Sequence, residues 1–150
     1  MMQNIHFKAP NCWINDPNGF IWYKGQYHLF YQCFPYAPQW GRMHWGHAVS
    51  KDLVNWEEKG IALYPTKTDD RSGCFFGSAV EQDGTLYLYY TGVNYLEENP
   101  EDINQCRNDQ FLAAQMMISS DDGMTFDNVK RKKTVIPPIA EDAIGSKPHT

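Results

Sequence analysis

The sequence predicts an all-β protein built from a repeated four-stranded unit, the design of a β-propeller blade. Three observations carry this. Short runs of alternating apolar and polar residues are joined by tight glycine turns. A Ser-x-Asp-x-x-x-aromatic element occurs after each hairpin, seventy positions apart. Aromatic residues make up 15 % of the chain, within a hydrophobic content of 42 %, and aromatic-rich strands suit sandwiches, barrels and propellers.

The elements follow in order. Gly19 to Gln32 reads as two strands with a turn at Lys24-Gly25, the second strand setting Tyr27, Leu29 and Tyr31 against His28, Phe30 and Gln32. Ser50-Lys-Asp52-Leu-Val-Asn-Trp56 then supplies the first serine-aspartate element. Gly77 to Tyr90 repeats the hairpin around Asp83-Gly84, with Leu86, Leu88 and Tyr90 on one face, and Ser120-Asp-Asp122-Gly-Met-Thr-Phe126 repeats the element. The overlapping Ser119-x-Asp121-x-Gly123-x-Thr125-Phe126 resembles the Asp-box turn of sugar-cleaving propellers, and its carboxylates are expected to bind turn amides. Asn94 to Gln110 is acidic and polar and is expected to be an exposed inter-strand insertion within reach of a substrate. The basic run Lys130 to Lys133 is expected to be a solvated edge or loop. Propellers close with about four to eight blades, and 150 residues hold little more than two repeats of this size. The chain is therefore expected to be part of a longer propeller, unless copies of it close the ring. Ile136-Pro-Pro-Ile139 and Ser146 to Thr150 read as a loop entering a further strand.

Composition excludes several functions. A net charge of −5 and a pI near 5.4 offer no basic face for nucleic acid. The N-terminus lacks the apolar core of a signal peptide, and no stretch approaches the roughly 18 apolar residues of a membrane span. A soluble, cytoplasmic protein without a membrane partner is expected. Cys12, Cys33, Cys74 and Cys106 are widely spaced with no Cys-x-x-Cys, so free thiols are expected in place of a disulfide framework or zinc site. His44 and His47 would point to opposite faces of a strand, which disfavours a shared metal ion. Nothing in the sequence specifies an oligomeric state.

The stretch Asn11-Cys-Trp13-Ile-Asn15-Asp16-Pro17-Asn18-Gly19-Phe20 sets an acid among aromatic residues and amides. Asp16-Pro17-Asn18-Gly19 has the chemistry of a reversing turn. Pro17 would end the strand and Asn18-Gly19 would reverse it, leaving Asp16 at a strand end, where blade strands converge on a central channel. Cleaving a glycosidic bond with retention needs one carboxylate as nucleophile and a second carboxyl as acid and then base. Trp13 offers an apolar wall and Asn15 a hydrogen bond to a sugar hydroxyl. On this local pattern a nucleophilic Asp16 and an Asp16 that caps its own turn are equally supported.

Trp13-Ile-Asn-Asp16-Pro-Asn-Gly19 resembles the signature of glycoside hydrolase family 32, which contains invertases, sucrose-6-phosphate hydrolases, inulinases and levanases. Further similar motifs follow in order: Phe30-Tyr-Gln32, Pro35 through Trp40-Gly41, Trp45-Gly-His-Ala-Val-Ser50-x-Asp-Leu-Val-x-Trp56, Ala62-Leu-Tyr-Pro65 and Phe75-Phe-Gly-Ser-Ala-Val80. They span most of residues 6 to 92. The resemblance implies a five-bladed β-propeller catalytic domain of which residues 1 to 150 are the N-terminal part, about two blades. It implies that Asp16 attacks the anomeric carbon of a terminal β-fructofuranosyl unit. Trp13, Asn15, Gln32, Trp40, Phe75 and Phe76 would line the fructose pocket. The substrate would be sucrose, its 6-phosphate or a fructo-oligosaccharide, and two carboxyls and water would suffice without a metal or organic cofactor.

The chain departs from the family pattern at two positions. Phe34 stands where invertase-like members commonly have Asn, as is more usual for bacterial sucrose-6-phosphate hydrolases. Phe76 stands where the family has a serine, which removes one pocket hydroxyl. The family's Arg-Asp-Pro and Glu-Cys motifs, carrying its transition-state stabiliser and acid/base, do not occur in these residues. Lys147-Pro-His-Thr150 resembles the segment that precedes Arg-Asp-Pro. The 150 residues by themselves are accordingly expected to lack useful hydrolase activity. A sugar-binding or degenerate propeller is the alternative from another class, and fructosyl transfer is the nearer one.

Overall fold

The computed structural model describes residues 7–8 and 11–139. It is all-β apart from two short 3₁₀ turns. The first sheet is formed by β1 (Trp13–Tyr23), β2 (Gln26–Phe34), β3 (His44–Ser50) and β4 (Glu57–Leu63), antiparallel and in sequence order. The second uses β5 (Gly73–Gln82), β6 (Thr85–Tyr95), β9 (Phe111–Ser120) and β10 (Lys132–Ile136), with a small pair, β7 (Glu98–Asn99) and β8 (Asp102–Cys106), inserted between β6 and β9. Each sheet is thus one four-stranded meander, as expected of a blade. Both hairpin turns form where the sequence places them. Lys24 and Gly25, and Asp83 and Gly84, all take positive φ, matching the right-handed twist of the flanking strands.

The sheets pack face to face. Phe30, Trp45 and Leu63 from the first meet Leu86, Leu88, Tyr90, Met116 and Ile118 from the second, all at most 1 % exposed. Each such side chain contributes about 1.5–3 kcal/mol on burial, so this seam is the main core. The alternation read in β2 explains it: His28, Phe30 and Gln32 point inward, while Tyr31 and Cys33 form a second cluster with Phe7 and Trp56 on the outer face. Hydrogen bonds cross the seam as well. Tyr23 Oη donates to Gly84 O at 2.6 Å, and Asn128 Nδ2 donates to Ala62 O at 2.9 Å.

Two local expectations are corrected. Asp16-Pro17-Asn18-Gly19 does not reverse the chain: β1 runs straight through it, with register shifts between Ile14 and Pro17 and between Asn18 and Ile21. Proline is tolerated because β1 is an edge strand, and Gly19, at φ 51°, takes up a bulge in place of a turn. The Asn94 to Gln110 segment is a mostly exposed insertion between β6 and β9, as expected, and it carries the end of β6 and the β7–β8 pair. The basic run is not wholly solvated. Lys132 Nζ donates to Asp70 Oδ2 at 2.6 Å, both side chains fully buried. Asp70 also accepts from the amides of Thr66 and Lys67 and from Tyr90 Oη, so the buried carboxylate is saturated with donors. Ser146 to Thr150 lie outside the described residues.

Candidate active site

Strand register collects the candidate residues at one end of the two sheets. Trp13 pairs with Phe34, Cys33 with His44 and Trp45 with Leu63. Gly73 pairs with Val93, and Tyr95 with Phe111. The start of β1, residues 35–43, 64–72 and 96–110, and the start of β5 therefore share that end.

Trp13, Asn15, Asp16 and Gln32 form a hydrogen-bonded chain. Trp13 Nε1 donates to Asn15 Oδ1 at 3.2 Å, and Asn15 Nδ2 donates to Gln32 Oε1 at 2.5 Å and reaches Asp16 Oδ2 at 3.5 Å. Gln32 is buried at the centre of its sheet, and its Nε2 has no partner among the described residues. Asp16 is exposed. Among the described residues its carboxylate accepts from Asn15 and from no backbone amide. A capping role requires such an amide.

The aromatic candidates form a second group. Trp40 and Phe75 lie with ring centroids 6.3 Å apart, tilted by 42°. Trp45 Nε1 donates to Phe75 O at 2.9 Å, anchoring the start of β5 from the first sheet. Trp40, Phe75 and Phe76 line a largely apolar cavity of about 510 Å³, together with Gln105, Cys106 and Asp109. Asp16 is not among its lining residues. The groups are joined where β1 meets β5: Gly77 N donates to Asn18 Oδ1 at 3.3 Å. That bond sits two residues from Asp16 and one from Phe76, at about 3.3 Å per residue along each strand. Asn18 Nδ2 has no partner among the described residues. Sequence reasoning took Asn18 for a turn residue and missed this role, because its contact with Gly77 is a long-range one.

The histidines occupy separate environments. His28 Nδ1 and His47 Nε2 are 3.0 Å apart. His28 Nε2 lies 3.2 Å from Tyr23 O, an acceptor only, so Nε2 carries the proton and Nδ1 accepts from His47 Nε2–H. Burial lowers both pKa values, that of His47 to about 3 with help from neighbouring His28. His44 instead contacts Arg42 O and Tyr36 Oη. No group of three or more metal-binding side chains is assembled among the described residues. Their four cysteines are free, and burial pushes the Cys33 thiol up to about 12. No helix among the described residues is long and apolar enough to cross a membrane.

Residues 6–147 match the family model described as the glycosyl hydrolases family 32 N-terminal domain. A sucrose-6-phosphate hydrolase of Zymomonas mobilis subsp. mobilis is 47 % identical over 139 residues, covering 91 % of this chain and 26 % of that protein. A raffinose invertase of Escherichia coli is 44 % identical over 135 residues, covering 89 % of this chain and 26 % of its own length. Among solved structures, a mutant of the Bombyx mori GH32 beta-fructofuranosidase in complex with sucrose superposes with a TM-score of 0.73 at 36 % identity, covering 92 % of this chain and 27 % of that one. The chain thus spans about a quarter of the length of the curated relatives it matches.

Proposed function

The chain belongs to glycosyl hydrolase family 32, and from that premise we propose that the complete protein containing it is a retaining β-fructofuranosidase acting on sucrose or sucrose 6-phosphate. Asp16 is the nucleophile. Its carboxylate attacks the anomeric carbon of the terminal fructosyl unit and forms an ester as the glycosidic C–O bond breaks. A carboxylic acid from outside these residues protonates the departing oxygen. The resulting carboxylate then removes a proton from water, which attacks the anomeric carbon, releases fructose and restores Asp16.

The observation that carries this reading is the contrast between Asp16 and the other strand-end aspartates. Asp16 is exposed at the start of β1 and free of backbone amides among the described residues. It therefore remains available to attack carbon. Asn15 and Gln32 support it. The Gln32 carboxamide oxygen orients Asn15, and its buried Nε2 has no partner among the described residues. Trp13 and Trp40, each a little over a third exposed, and the Phe75-Phe76 pair offer apolar surface to the sugar ring.

The test is fructose release from sucrose by the complete protein and by its Asp16→Asn variant. A loss on the order of 10⁴-fold at unchanged fold is expected for a nucleophile. Retained turnover in the variant would remove Asp16 from the chemistry. The isolated 150 residues are expected to show no Asp16-dependent release, since one carboxylate cannot both attack and protonate.

A further inference from the structure

The β7–β8 pair stands at the same end of the molecule as Asp16, and two short strands cannot hold themselves in place. Two-stranded hairpins are marginal in water, and this one has only two residues in β7, with a register shift beside them. Backbone bonds hold its base, Leu96 N–H to Gln110 O at 3.0 Å and Arg107 N–H to Glu97 O at 2.9 Å. Beyond them its main side-chain anchor is Arg42, in the loop of the first sheet that also carries Trp40. Arg42 Nη2 donates to Glu98 Oε1 at 2.8 Å, and Nε donates to Ile103 O at 2.9 Å. The Arg42 amide donates to Asn104 Oδ1 at 3.3 Å. The guanidinium lies 5.8 Å from the Tyr95 ring centroid, and Tyr95 Oη donates to Asn104 O at 2.9 Å. One planar fork thus grips both strands of the hairpin, a geometry that an ammonium cannot reproduce.

The gripped segment forms one wall of a cavity. Gln105 and Cys106, at the end of β8, and Asp109 just beyond it face the cavity that Trp40, Phe75 and Phe76 line from the other side. Displacement at an anomeric carbon sends the leaving oxygen away from the attacking carboxylate. Asp16 is exposed at the same end and does not line this cavity, which leaves the cavity to the departing group.

We propose that Arg42 is a positioning residue whose clamp on the Glu98–Cys106 hairpin shapes the wall that meets the leaving-group sugar of the fructoside. This rests on the β-fructofuranosidase reading above. Arg42 bonds to Glu98, Ile103 and Asn104, and to neither Asp16 nor the residues proposed to hold the fructosyl unit. It acts through the hairpin, so it selects among leaving groups without changing the chemistry at the anomeric carbon.

The experiment compares sucrose with methyl β-D-fructofuranoside, which share the fructosyl unit and differ in the size of the leaving group. Both are assayed with the complete protein and its Arg42→Ala, Arg42→Lys and Asn104→Ala variants. Loss of a charge-assisted grip is expected to raise KM for sucrose about tenfold in Arg42→Ala. kcat should stay within about twofold, and the methyl fructoside should be unaffected. Arg42→Lys should recover only part of the loss, and Asn104→Ala should show a smaller shift of the same kind. An equal loss on both substrates in the soluble variants, or no change on either, overturns the proposal. Should Arg42→Ala not fold, Arg42→Lys and Asn104→Ala decide by the same split. Absence of Asp16-dependent release from either fructoside by the unaltered protein would instead mean that the hydrolase reading itself had failed.

Discussion

The two sheets close with the same seven-residue turn, and three amide hydrogen bonds recur in both. In the first sheet Ser50 Oγ accepts from the Leu53 amide, and Asp52 Oδ1 accepts from the amides of Val54 and Asn55. In the second Ser120 Oγ accepts from the Gly123 amide, and Asp122 Oδ1 accepts from those of Met124 and Thr125. The fourth residue takes positive φ in both, 65° at Leu53 and 70° at Gly123. Backbone amides, the Asn55 amide first and the Thr125 amide first, hold both carboxyls well below the usual range. At their first strands, β1 and β5, the same two sheets diverge. The first presents Asp16 without an amide partner among the described residues, and the second presents Phe75 and Phe76. Where the sheets agree, carboxylates are saturated by backbone. Where they differ, one carboxylate has no backbone donor among the described residues.

That comparison is broken most directly by exchanging the two kinds of aspartate. Asp16→Asn should abolish fructose release in the complete protein with little change in melting temperature, whereas Asp122→Asn should lower the melting temperature and leave turnover intact. The reverse pattern would mean that the two carboxylates had been assigned the wrong way round.

The next largest effect is expected where the sheets are tied together. Asp70→Asn leaves the Lys132 ammonium buried without its countercharge, and breaking such a pair costs about 3–5 kcal/mol. Urea unfolding measures this directly. A shift below 1 kcal/mol would show that water replaces the carboxylate at this seam.

A pH titration sharpens the contrast further, because the first sheet alone carries a buried histidine pair among the described residues. The His47 pKa is about 3 when folded, against 6.5 as its ordinary value. The unfolded chain therefore takes up a proton first as pH falls. The stability from a neutral His47 is complete above pH 6.5 and is lost on acidification towards pH 3. By pH 4.5 this amounts to about 2–3 kcal/mol. His47→Phe should flatten the denaturant midpoint between pH 7 and 5, where carboxylates contribute little. An unchanged slope would place the pH dependence elsewhere.

The smallest effects belong to the turns themselves. Asp52→Ala and Asp122→Ala should each lower the melting temperature slightly and by similar amounts, since each carboxylate accepts the same pair of backbone amides and both groups sit near solvent. Their stabilising contribution is present above the ordinary carboxylate pKa and fades only in strong acid, where the depressed folded pKa lies. Unequal shifts would show that the repeat is geometric without being energetic.

Much of this was legible in the residue order. The turns at Lys24-Gly25 and Asp83-Gly84, the alternation of β2, the shared face of Leu86, Leu88 and Tyr90 in β6 and the repeated serine-aspartate turn all depend on contacts within a few residues. Asp16-Pro17-Asn18-Gly19 was misread because its local chemistry suits a turn. Only pairing with β2 on one side and contact with β5 on the other hold it extended. Lys132 was misread for a related reason: a lysine in a basic run looks solvated until the Asp70 carboxylate, sixty-two positions earlier, is found beside it.

The sequence by itself determined the strands, their turns, the four-stranded repeat and the motif that marks family 32, because periodicity and turn chemistry are short-range properties. Tertiary structure alone decided that Asp70 meets Lys132, how the candidate residues divide between a hydrogen-bonded chain and an aromatic cavity, and what holds the β7–β8 hairpin beside them. Those outcomes depend on groups between about seventeen and sixty-eight positions apart, such as Asn15 and Gln32 or Lys132 and Tyr64. At such separations, packing and strand register set the distance, and no local pattern encodes it.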